Sequence, residues 1–90
     1  METFSMKKLR NDIALKSKTF SIDFEEKIAE VSFEDEETAE KVIDVYKRFD
    51  FPRAGYDIVS VEKIDGDDFS RMFARYHGGN VIYEITFEQK

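Results

Sequence analysis

His77 is the only histidine of the chain and stands directly before a glycine pair, Gly78-Gly79. An imidazole there has the chemistry of a general base, but it needs a nucleophile or a second acid–base group within reach. The chain has no cysteine to supply a thiolate and no serine in a Gly-x-Ser-x-Gly turn. The simpler reading of His77 is a helix-end or solvated group. Asp65-Gly66-Asp67-Asp68 begins like a calcium loop, yet counting from Asp65 puts Phe69 fifth and Tyr76 twelfth, where oxygen ligands are required. An Asp-Gly turn leading into an N-cap accounts for these residues. Gly78-Gly79 lacks the spacing and the following Lys-Ser/Thr of a phosphate loop. Among 20 acidic side chains nothing singles out a glycosidase pair. The expectation is a protein with no catalytic residues, no metal and no cofactor.

The acidic side chains are unevenly placed. Residues 23–44 hold ten of them against Lys27 and Lys41, a local sum of −8, while the whole chain sums to −6. Residues 1–18 sum to +3. Glu25, Glu26 and Glu30 fall in a hairpin, Glu34, Glu36 and Glu37 at its junction with a helix, and Glu40 and Asp44 further along that helix. Glu36, Glu40 and Asp44 recur every four residues on what reads as its outer face, about 6 Å apart, near the spacing of backbone phosphates. Like charges so spaced each cost a few tenths of a kcal/mol. One reading is a solvated face whose first-turn acids suit the helix dipole. The functional reading makes these eight residues a partner-binding surface for a basic protein, steered there by its field. Arg71 and Arg75 could line a small basic spot with His77, but Asp67 and Asp68 precede them at helical spacing and intrahelical pairing accounts for them better. The acidic balance argues against direct binding of nucleic acid or an anionic membrane. RNA-stacking aromatics would need an electropositive surround, and the hairpin carries Asp23, Glu30 and Glu34 instead.

The elements that position these residues follow from periodicity. Phe20, Ile22 and Phe24 alternate with Thr19, Ser21 and Asp23; Ala29, Val31 and Phe33 alternate with Glu30, Ser32 and Glu34. Two half-buried strands around a short polar turn make an antiparallel hairpin. Asp35 offers an N-cap, and Ala39, Val42, Ile43, Tyr46 and Phe49 give an amphipathic helix over 36–49. Pro52 is expected to stop it by pushing Phe51 away from helical angles. Residues 56–64 read as a strand with Val59 and Val61 inward and Ile58 on the other face. Residues 67–77 read either as a helix, with Phe69, Met72, Phe73 and Tyr76 on one face and Gly78 as its stop, or as a strand paired with 80–88. The helix has the more coherent apolar face. Residues 80–88 form a strand with Val81, Tyr83, Ile85 and Phe87 inward. Met6, Leu9 and Ile13 suggest a further helix over 4–17.

The fold class is therefore α+β: a four-stranded, mostly antiparallel sheet with one to three helices, in the order (α)-β-β-α-β-α-β, helices on one face. Ninety residues allow a single domain, 1–90, whose nine Phe and four Tyr can carry a small core. No run approaches a membrane span and no signal-peptide pattern opens the chain, so a cytoplasmic location is expected. A second surface is apolar: Ile82, Ile58 and Tyr56 fall away from the inferred core, to be covered by residues 4–17 or by a second copy. In size, acidity and lack of a catalytic signature the chain resembles the small inhibitors that phages make against host defence or transcription proteins, a likeness of composition. It implies a protein-binding inhibitor or adaptor, monomeric or homodimeric, acting on a basic partner, a class that includes proteins that themselves bind nucleic acid. The alternative is a homo-oligomeric ligand-binding or regulatory domain that uses the second sheet face.

Overall fold

Alternation in the hairpin becomes strands β1 (Thr19–Asp23) and β2 (Ile28–Phe33), antiparallel, with Phe20 opposite Val31 and Ile22 opposite Ala29. The Asp23 carboxylate closes the turn, accepting from the backbone N–H of Glu25 at 2.9 Å and of Glu26 at 3.1 Å. This is the local bonding that suits Asp to turns. The computed structural model describes residues 2–64 and 69–90, without the side chains of Phe69, Ser70, Arg71 and Phe73. The proposed turn, N-cap and calcium-loop roles of Asp65–Asp68 lie outside the described residues.

β3 (Tyr56–Ile64) and β4 (Val81–Gln89) complete one antiparallel sheet of order β1-β2-β4-β3. The two central strands pair Val31 with Tyr83 and Ala29 with Ile85. Helices α1 (Phe4–Lys16) and α2 (Glu36–Val45) cover one face. Leu9 and Ile13 of α1 join Val31, Phe33, Ala39, Ile43, Tyr46, Ile85 and Phe87 in one buried cluster. Its aromatics meet edge-to-face, Phe51 at 5.4 Å and Tyr56 at 5.3 Å from Phe87. Asp35 caps α2 by accepting from Thr38 N–H at 2.7 Å. That bond holds the Asp35 carboxyl below its usual range.

Four expectations need correction. The helix does not end before Pro52: a π-helical stretch, Tyr46–Asp50, follows α2 and runs into a last turn, α3 (Phe51–Arg53), with Phe51 at φ −70°, ψ −48°. There Phe51 N–H donates to Tyr46 C=O, five residues back. The wider turn rotates the helix by about one residue. Phe51 is thereby buried, whereas Phe49, expected in the core, is 47% exposed. In β3 a bulge between Ile58 and Ser60 resets the alternation. Ile58 and Val61 both pack on the core, Val59 is 57% exposed, and Tyr56 is buried in the main core rather than on the second face.

The last two corrections concern α4 (Phe69–Tyr76), which ends as expected at Gly78, at φ +88°. The helices do not share one face. Ala74 of α4 is buried with Ser32 and Ile82 on the second face, apart from the main cluster. Gly79 is wedged there, since a Cβ would collide with the Ser32 hydroxyl. α4, not the amino-terminal helix, covers this end of the second face. It approaches through Ala74, and Met72 and Tyr76 are 62% and 87% exposed.

Candidate partner-binding surface

β2 divides the acidic tract. Glu25 and Glu26 sit in the turn at one end, while Glu34, Asp35, Glu36 and Glu37 sit beyond the other. Six residues at about 3.3 Å each separate the two groups by roughly 20 Å. Glu30, in the middle, points to the second face and lies opposite Ser21 and Glu84. The eight residues are thus two groups and a bridge rather than one patch.

The α2 row is also less available than its spacing suggests. Glu36 is paired with Lys63 of β3, Glu37 with Lys41 at 3.4 Å, and Asp44 with Arg48 at 3.1 Å. Glu40 has no ion-pair partner among the described residues. With Asp44 it lines a groove of about 240 Å³ with Ile43, Lys47, Val61 and Tyr83. The row therefore flanks the sheet instead of standing opposite the buried side of the helix. Burial raises the Tyr83 hydroxyl above its ordinary pKa; the negative field of Glu36 adds to the shift, Lys63 opposes it and Glu40 adds a little more.

A denser acidic surface forms where sequence reading saw only outward-facing strand positions. Register sets Glu30, Glu84 and Glu62 in one transverse row across β2, β4 and β3. Asp23 lies opposite Ile28, and Glu88 lies opposite Asp57. All six carboxylates are on the second face, beyond the end that α4 covers. Lys63, the one basic residue in the four strands, pairs with Tyr83 and reaches Glu36 on the other side. Lys90, after β4, approaches Asp57 at 4.0 Å. Directly opposed like charges destabilise a sheet, so folding alone does not select this arrangement. Asp57, Glu62, Glu84 and Glu88 were not among the sequence candidates. Their alternation was visible, but the pairing that assembles them was not.

His77 is exposed at the end of α4, its ring 5.2 Å from that of Tyr76. Among the described residues no three His, Cys, Asp or Glu side chains are placed to hold a metal ion. No described helix is long and apolar enough to cross a membrane. No protein-family model matches the sequence, and neither a curated protein nor a solved structure matches the chain.

Proposed function

We propose that this chain is a small, non-catalytic inhibitor or adaptor that binds a basic protein partner through the carboxylate face of its sheet. The observation that supports the reading is the register that aligns Glu30, Glu84 and Glu62, with Asp23, Asp57 and Glu88 beyond them, and no cationic strand residue on that face. Repulsion between the directly opposed Glu62 and Glu84 is unfavourable in the free protein and is relieved when lysines or arginines of a partner arrive. Carboxylates spaced about 4.8 Å across strands and 6.7 Å along them present a two-dimensional lattice. A cationic groove, including one that otherwise holds nucleic acid, can meet such a lattice at several points. The internal pairs of Glu36, Glu37 and Asp44 make the α2 row the weaker contributor.

Capture of the partner from the source lysate, followed by binding kinetics on two charge-reversed variants, tests the proposal. Glu62→Lys/Glu84→Lys/Glu88→Lys should weaken binding by more than about tenfold, or 1.4 kcal/mol. Most of that loss should come from slower association. Glu36→Lys/Glu40→Lys/Asp44→Lys should change it little. Raising salt from about 50 to about 500 mM should mimic part of the loss, because the Debye length falls from roughly 14 Å to about 4 Å. Normal binding by the sheet-face variant, with the fold intact by circular dichroism, would remove this surface as the site. Loss confined to the helix variant would transfer the role to the α2 row.

A further inference from the structure

The sheet has two edges, and only one of them is blunted. β3 carries a bulge between Ile58 and Ser60 and a lysine, Lys63, both of which discourage pairing with a further strand. β1 is regular over its five residues, with no bulge, proline or lysine. The groups it turns outward follow from the ladder. Phe87 N–H donates to Lys27 C=O, so the odd residues of β2 turn their backbone groups to β4, while Ile28, Glu30 and Ser32 turn theirs to β1. Ser32 C=O accordingly accepts from Lys18 N–H at 2.8 Å. Thr19, Ser21 and Asp23 face these residues. The N–H and C=O groups of Phe20 and Ile22 therefore point outward, with no strand beyond them among the described residues. Their side chains, opposite the buried Val31 and Ala29, are only half-buried.

We infer that this edge pairs with the same edge of a second copy, β1 antiparallel to β1 about a two-fold axis through Ser21, joining two four-stranded sheets into one of eight strands. Pairing about Ser21 overlaps the whole strand and opposes no like charges. Phe20 meets Ile22 of the partner subunit, and Ile22 meets the partner's Phe20, aromatic–β-branched pairs that cover both half-buried side chains. These two pairs exchange four backbone hydrogen bonds, two each. Ser21 meets its own copy, and Asp23 meets Thr19 of the partner subunit. At the strand ends the exposed Lys18 of one protomer comes beside the exposed Asp23 and Glu25 of the other. Among the described residues none of these three has an ion-pair partner within the protomer. The basic start of the chain thus meets the acidic turn twice over, the self-complementarity that an isologous interface requires. An axis normal to the sheet keeps both carboxylate faces open on one side, so the inference goes beyond the proposed function without using its surface.

Sedimentation equilibrium of the full chain should show a mass rising with concentration toward twice 10.6 kDa. The chain has no cysteine, so a single introduced thiol reports the register directly. Opposed residues of a non-hydrogen-bonded antiparallel pair have Cα atoms about 4.5 Å apart, within disulfide reach. Ser21→Cys should therefore oxidise to a covalent dimer about tenfold faster or more than Val59→Cys, an exposed position on the other edge strand. Ser21→Lys opposes two ammonium groups across the axis, at an exposed position, and should weaken self-association by about tenfold or more. Ser21→Glu should do the same, and an equimolar mixture of the two should restore the dimer. Circular dichroism checks that each variant is folded. A wild-type mass of one protomer into the millimolar range overturns the inference. So does a dimer that Ser21→Lys leaves intact, a mixture that stays monomeric, or Val59→Cys crosslinking as fast as Ser21→Cys. None of these results bears on capture of a basic partner, so the two readings fail separately.

Discussion

Replacing Phe51 by alanine removes a fully buried ring that lies 5.4 Å from Phe87 and 6.0 Å from Tyr46. Replacing Phe49 removes a ring 47% exposed, with the Arg53 guanidinium 5.5 Å from its centroid. The two phenylalanines lie two residues apart, and only the π-helical stretch decides which is inside. Truncation of a buried Phe costs about 3–5 kcal/mol through lost transfer energy and the cavity left behind. An exposed cation–π contact is worth about 0.5–1 kcal/mol. For a domain of 60–100 residues each kcal/mol moves the melting temperature by about 4–8 °C. Phe51→Ala should therefore lower Tm by roughly 12–40 °C, close to the whole margin of a small domain, and Phe49→Ala, which loses the cation–π contact and a half-covered ring, by clearly less. Urea unfolding followed by circular dichroism at constant m-value separates the two. Equal losses, or a larger loss at Phe49, would refute the rotated helix and restore an unbroken α-helix through residue 49.

Three further outcomes test other parts of the structure. Lys16→Met should destabilise the protein by roughly 1–3 kcal/mol in urea unfolding, because the buried Asp50 carboxylate loses the ammonium 3.1 Å from its Oδ2, an oxygen with no hydrogen bond to take its place. Burial holds the Tyr46 hydroxyl, which donates to Ile13 C=O at 3.1 Å, well above its ordinary pKa. The unfolded tyrosine ionises first, so this contribution is intact below about pH 10 and lost as pH rises toward the folded value; Tyr46→Phe should flatten the alkaline limb of a stability–pH profile. Gly79→Ala forces a methyl group into the Ser32 side chain and should cost about 1–3 kcal/mol in thermal or urea unfolding, detaching α4 from the second face.

The elements were legible in the sequence wherever one periodicity ran without interruption. Phe20–Ile22–Phe24 and Val31–Phe33 could only be strands sharing a buried face, Asp35 could only open a helix, and Gly78 closed α4 where a left-handed residue was needed. These signals are local: side-chain alternation, a cap, a glycine. Each misplacement occurred where a one-residue irregularity shifted the phase. The π-helical stretch exchanged Phe49 for Phe51, and the β3 bulge exchanged Val59 for Ile58. Neither has a sequence signature of its own, because both arise when a segment adjusts to partners distant in the chain. The same holds for the face that α4 covers, where Ala74 proved a better seat against Ser32 than the larger Met72 and Tyr76. Charge followed this pattern most clearly. The acidic run of residues 23–44 was plain from composition, yet β2 carried its halves to opposite ends of the sheet. The densest carboxylate surface was assembled from residues 23, 30, 57, 62, 84 and 88, because strand register brings together what the chain keeps up to 65 residues apart.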